Sequence, residues 1–123
     1  MIVAGFGFRH AATRKSLEEA LAAAWGAAAI DRIAVPADKA GARAVRAFAE
    51  ARALPLTAVP AEALARVQTL TPAPDAAKGR YAGSPAEAAA LAAAGPGARL
   101  AGPRAISADR NATCAIAIRE TAP

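Results

Sequence analysis

The chain has 123 residues, with 15 Lys and Arg against 10 Asp and Glu for a formal net charge of +5. That leaves room for one core, favours anionic partners and, because the positive charges are scattered, provides no basic tail. Hydrophobic residues make up 55% of the chain but aromatics only 4%, so a core of Ala, Val, Leu and Ile must replace side-chain bulk with close backbone approach. No apolar run nears the roughly 20 residues that span a bilayer, and one Cys with one His is too few for an intramolecular disulfide or a structural zinc site.

Ile2-Val3-Ala4 reads as a short buried strand closed by a glycine turn, Gly5-Phe6-Gly7. This apolar segment has no basic leader and is followed by Arg9 and His10, the wrong order for a secretory signal, so a cytoplasmic location is expected. Ser16-Leu17-Glu18-Glu19 has the form of a capping box with Ser16 at N-cap. The helix it opens repeats Leu17, Leu21 and Trp25, and Gly26 is its expected stop. A second strand is expected over 30–35, a loop at Ala37-Asp38-Lys39, and a helix over 42–52 with Val45, Phe48 and Ala49 inward. A third strand is expected over 54–59, then a short helix from Pro60 through Val67.

Residues 69–83 hold Pro72, Pro74, Gly79 and Gly83 and read as a long flexible loop. Ser84-Pro85-Ala86-Glu87 is a second capping box with Pro at the first helical position. The Ala-rich helix it starts ends at Gly95-Pro96-Gly97. Arg99–Ala101 and Arg104–Ile106 are short strand candidates, Ala108–Asn111 is a hairpin turn, and Thr113–Arg119 is the last strand with Cys114, Ile116 and Ile118 on one face. The expectation is one domain over 1–123. It is an α/β fold, a three-layer α/β/α arrangement with a mixed, mostly parallel sheet of about five strands and a C-terminal antiparallel hairpin.

The candidate chemistry gathers at strand ends. A glycine turn at Gly5 and Gly7 lets a ligand approach the backbone, or serves only tight packing; Arg9 and His10 follow it. It is neither the dinucleotide fingerprint nor a phosphate-binding loop, because the third glycine and the Gly-Lys-Ser/Thr element are missing. His10 is the one side chain with an ordinary pKa near neutrality, yet no Ser or Cys partner with an orienting acid is evident, so it is a weak catalytic candidate. Asp38 and Lys39 fall on the same rim, either as ligand contacts or as a solvated pair. Lys78, Arg80 and Tyr81 read as a cationic lid or a linker. Ser84 and Glu87 are explained by capping, although a helix start also favours anions. Arg110, Asn111 and Thr113 add donors or form an ordinary turn. Cys114 reads as a packing residue. No complete metal set or cofactor motif is present, and basic residues interleaved with aromatics, as nucleic-acid binding wants, are missing.

Together the segments resemble the CobE family, which is similar to the C-terminal domain of CbiG in cobalamin biosynthesis. The resemblance covers nearly the whole chain and rests on four blocks in order. They are Val3–Arg9 with Ser16–Ala20, Ile33–Lys39 with Phe48–Leu56, Gly83–Leu91, and Thr113–Arg119. Three departures stand out: Gly41-Ala42-Arg43 where the family often carries a Glu, Pro85 where a Val is common, and Arg104 where a Lys is usual. The resemblance implies a protein that holds a precorrin or hydrogenobyrinic-acid-type tetrapyrrole and meets other enzymes of the pathway. It implies a carrier more than a self-contained enzyme, with no cofactor, membrane or nucleic acid involved. The implied contacts are Gly5, Gly7, Arg9, His10, Asp38, Lys39, Arg80, Ser84, Glu87, Arg110, Asn111 and Thr113. Alternatives are a lactone-opening or hydrolase-like step with His10 as acid/base, and nonspecific binding of anions or nucleic acid.

Overall fold

A computed structural model describes residues 1–26, 28–67 and 85–120. Six strands form one mixed sheet: β1 (Ile2–Phe8), β2 (Arg32–Pro36), β3 (Leu56–Val59), β4 (Arg99–Leu100), β5 (Ala105–Ile106) and β6 (Ala112–Ile118). Their order is β3-β2-β1-β6-β4, with β5 also pairing β6. The pairs β1–β2 and β2–β3 are parallel, as the intervening helices require. The chain then returns, and β6 lies antiparallel to β1 over its whole length, from Ile2 opposite Ile118 to Phe8 opposite Ala112. Both central strands are covered on two faces, which explains their nearly continuous apolar runs.

Among the described residues four α-helices complete the layers: α1 (Arg14–Trp25), α2 (Arg43–Arg52), α3 (Ala61–Ala65) and α4 (Pro85–Ala94). On one face α1 and α2 pack Leu17, Leu21, Val45 and Phe48 over Phe6, Ile33, Cys114 and Ile116. Phe6 and Phe48 meet edge to face with ring centroids 5.1 Å apart. On the other face α3 and α4 cover Val3, Ala34 and Ala117, and most of the side chains involved are Ala. A helix this apolar all round has to be buried, and Ala86 and Ala88–Ala90 are fully so.

Two local expectations are corrected. Gly5-Phe6-Gly7 is not a turn: β1 runs through both glycines to Phe8. Gly5 is needed because α4 lies against it, where an added Cβ would meet the Ala86 carbonyl oxygen at 2.1 Å and the Ala90 nitrogen at 2.6 Å. The second correction concerns α1, which starts earlier than its Ser16 capping box suggested. Thr13 is the N-cap and Ser16 the third helical residue, each side chain accepting from the other's backbone N–H at 3.4 and 3.0 Å. Ser16 is fully buried, and its hydroxyl donates to Asp109 at 2.5 Å. That bond ties the start of α1 to the β5–β6 turn. The loop at Ala37-Asp38-Lys39 is a single 3-10 turn, and the long loop expected over 69–83 lies outside the described residues.

Candidate functional site

The carboxyl ends of β1 and β2, the amino ends of β6 and α2, and the start of α4 converge on one rim. Two adjoining clefts open there. The first, about 300 Å³, is lined by Gly7, Phe8, Arg9, Pro85, Arg104, Ile106, Arg110, Asn111, Ala112 and Thr113. The second, about 370 Å³, has walls from Phe8, Arg9, His10, Asp38, Lys39 and Arg43. Phe8 and Arg9 form the ridge between them. Eight of the twelve sequence candidates meet here: Gly7, Arg9, His10, Asp38, Lys39, Arg110, Asn111 and Thr113.

Local structure explains the placement. β1 ends at Phe8, and the Arg9 N–H extends the ladder by donating to the Asn111 carbonyl at 2.8 Å. Lys39, at the end of the 3-10 turn, puts its Nζ 5.6 Å from the centre of the Phe8 ring. Arg110 takes a left-handed backbone, with φ 61°, in the β5–β6 turn. Asp109 fixes that turn. Its Oδ1 accepts from the Ser107 hydroxyl at 2.6 Å and from the Asn111 N–H at 3.0 Å, and its Oδ2 accepts from Ser16. The bonds from Ser107, Ser16 and Asn111 hold the Asp109 carboxyl down at about 2. The Thr113 hydroxyl donates across the pair to the Gly7 carbonyl at 3.3 Å.

The remaining candidates sit elsewhere. Gly5 is buried under α4. Glu87 is fully buried, and its Oε2 accepts from the Arg104 backbone N–H at 2.9 Å, so it braces the wall of the first cleft from behind. Arg80, Ser84, Lys78 and Tyr81 lie outside the described residues. Sequence reasoning missed Arg43, Ile106 and Arg104 as cleft residues. The departures at Arg43 and Arg104 were the available signals, and Ile106 is a large apolar side chain left 40% exposed.

The electrostatics are one-sided. The clefts carry five cations, Arg9, Lys39, Arg43, Arg104 and Arg110, against the single carboxylate of Asp38. Among the described residues none of these cations is ion-paired; the pairs present, Arg52 with Glu18 and Arg99 with Glu120, lie elsewhere. Cys114, on β6, is buried in the core that α1 and α2 cover, and burial pushes its thiol up, away from the reactive thiolate. No three His, Cys, Asp or Glu side chains gather as metal ligands among the described residues.

The family model for the cobalamin synthesis G C-terminus matches residues 2–117. The chain belongs to that family. Solved structures share the architecture. CobE, a protein from the cobalamin (vitamin B12) biosynthetic pathway, superposes with a TM-score of 0.84 at 27% identity, covering 100% of this chain and 93% of CobE. The cobalamin biosynthesis protein chiG from Agrobacterium tumefaciens str. C58 gives a TM-score of 0.76 at 32% identity, covering 98% of this chain and 100% of chiG. No curated protein matches the sequence. The membership makes this a cobalamin-biosynthesis protein of the CobE and CbiG C-terminal type. No helix among the described residues is long and apolar enough to cross a membrane.

Proposed function

We propose that this family member binds a polycarboxylate corrinoid or precorrin on the double cleft and acts in the cytoplasm as a carrier within cobalamin biosynthesis. The observation that carries the reading is the set of five cations facing a single carboxylate across two clefts that share the Phe8–Arg9 ridge. A precorrin is a flat, apolar ring fringed with carboxylates. Each cleft is at the small end of ligand pockets, so the ring is not swallowed. It lies across Phe8 and Ile106, and its carboxylates reach down to Arg9, Lys39 and the arginines on either side. Charge-assisted hydrogen bonds to guanidinium are short and strong, and the apolar wall removes competing water.

The carrier reading is favoured over a catalyst by what surrounds His10. Among the described residues His10 makes no hydrogen bond to a nucleophile, the hydroxyls of Ser16 and Ser107 are committed to Asp109, and Cys114 is buried. Sequestering an unstable intermediate and handing it on needs none of these groups. The test is a titration of the protein with hydrogenobyrinic acid, followed by visible absorbance and repeated with Arg9→Ala. A saturable shift that Arg9→Ala weakens is the expected result. Absence of any shift at high micromolar ligand overturns the proposal, and a response that duplex DNA abolishes by competition points to nonspecific anion binding.

A further inference from the structure

Arg104 differs from the other cations of the rim. It stands immediately before β5, and its side chain lines the first cleft beside Arg9, Arg110 and Asn111. Its Nη1 is out of contact with water and has no hydrogen-bond partner. Buried donors are almost always paired, because a lost partner costs a large fraction of a hydrogen bond, and more when the group is charged. A guanidinium nitrogen stripped of water and left without an acceptor is therefore a cost that the ligand-free protein carries. It is also a donor whose desolvation is complete before any ligand arrives.

The backbone beneath it is held in place. The Arg104 N–H donates to the carboxylate of the fully buried Glu87 on the first turn of α4. Next to it, β5 is anchored by the pairing of Ala105 with Cys114 and of Ile106 with Thr113. Arg104 thus stands on a fixed root in the lining of a cleft whose other wall is apolar, with Ile106, Pro85, Phe8 and Ala112 in it. Arg9, Arg43 and Arg110 are exposed on the outer rim, where water can solvate a charge as well as a ligand can.

We infer that Arg104 is the carboxylate anchor of the first cleft: its guanidinium takes one carboxylate of the bound acid through a charge-assisted fork, and this contact, more than those of the rim, sets the orientation of the ligand. The inference rests on the anion-binding reading above and deepens it. The rim cations supply long-range attraction and respond to salt, whereas Arg104 supplies a short, desolvated contact that salt barely screens.

The experiment compares wild type, Arg104→Met, Arg104→Lys and Arg9→Ala, each titrated with hydrogenobyrinic acid at 50 and 300 mM salt, with the Tm of each ligand-free variant measured alongside. Arg104→Met is expected to weaken binding by about tenfold to a hundredfold, the range for losing a hydrogen bond to a charged group. Arg104→Lys restores part of the loss, because it keeps the charge without the planar fork. The Tm of ligand-free Arg104→Met stays level or rises, since the orphaned donor is gone; an arginine kept for folding would lower it instead. The wild-type to Arg104→Met ratio stays constant between the two salt concentrations, while that of wild type to Arg9→Ala shrinks at the higher one. Arg104→Met binding as tightly as wild type, while Arg9→Ala is weakened, overturns the anchor and leaves the rim reading intact. A fall in the Tm of Arg104→Met with unchanged affinity does the same. Absence of wild-type binding overturns both.

Discussion

Replacing Gly5 with Ala tests how the second core is built. Gly5 is in an ordinary strand conformation, so its backbone accepts Ala, and the unfolded chain would even lose entropy in the protein's favour by about 0.4–1 kcal/mol. The obstacle is space. The new Cβ would meet the Ala86 oxygen at 2.1 Å, the Ala90 nitrogen at 2.6 Å and the Ala90 Cβ at 2.8 Å. The first two are helix backbone and have no rotamer to turn. To restore a tolerable contact α4 must lift from β1 by about 1 Å, a gap that forfeits a quarter to a half of each contact's dispersion energy. The loss spreads over an interface rich in Ala, where Ala88, Ala89, Ala90, Ala94 and Ala117 beside Val3 are too short to flow into the gap. Overpacking costs typically 1–3 kcal/mol and at times more. With backbone atoms on both sides and the entropy gain subtracted, a net loss of about 2 kcal/mol is expected, near 8 °C in Tm for a chain of this size. Thermal unfolding followed by circular dichroism measures it, with Gly102→Ala as control, since an added Cβ there meets nothing within 4 Å. If Gly5→Ala melts with the control, α4 does not lie as close to β1 as described, and the reasoning fails.

Three further outcomes follow from single groups. Asp109 has its folded pKa lowered from 3.8 to about 2, so its contribution is complete above pH 3.8 and disappears as pH falls to about 2; Asp109→Asn should be less stable than wild type at neutral pH, with the difference closing over that window in urea titrations, and a gap that ignores pH would count against the turn network. Glu87→Ala strands the Arg104 N–H behind the first cleft and should cost about 1–3 kcal/mol; Glu87→Gln, which keeps an acceptor, should recover most of it, and equal losses for the two in denaturant melts would show that the bond contributes nothing. Because burial raises the Cys114 thiol, a disulfide reagent at pH 8 should label it only in denaturant; stoichiometric labelling of the native protein within minutes would mean that the sheet opens there.

Much of the fold is written in short-range signals. The period of Leu17, Leu21 and Trp25, the strand-like runs around Ile33 and Ile116, and Pro85 at a helix start each specify an element with little help from the rest of the chain. The two local errors have one cause. Thr13 and Ser16 can each cap a helix, and the choice between them is made by Asp109, 93 residues from Ser16, which needs the Ser16 hydroxyl inside the first turn. Gly5 and Gly7 look like a turn because glycine usually marks one, yet Gly5 answers the backbone of α4, and Gly7 the Thr113 hydroxyl and the Pro85 ring, all far along the chain. The rim was legible where residues follow a strand end, as Arg9, His10, Asp38 and Lys39 do. Arg104 was not, because neither its spacing nor its neighbours in sequence reveal that it lines a cleft with one guanidinium nitrogen buried and unpartnered.

The scarcity of bulky side chains and the shape of the site have a common physical origin. An interface of glycine and alanine lets α4 approach β1 until backbone meets backbone, which no Val or Leu at those positions would allow. Close approach brings the first turn of α4 level with the end of β1. Pro85 then stands beside Gly7, whose added Cβ would be only 3.3 Å from the proline ring, and Glu87 comes within reach of the Arg104 backbone. The wall of the first cleft is therefore set by helix-to-sheet distance, and the position of Arg104 relative to Arg9 inherits that distance. On this argument a substitution that lifts α4, such as Gly5→Ala, reduces ligand affinity even below its melting temperature, although Gly5 touches no ligand. Arg9→Ala reduces affinity with no loss of stability. The two variants separate the frame that places the charges from the charges themselves.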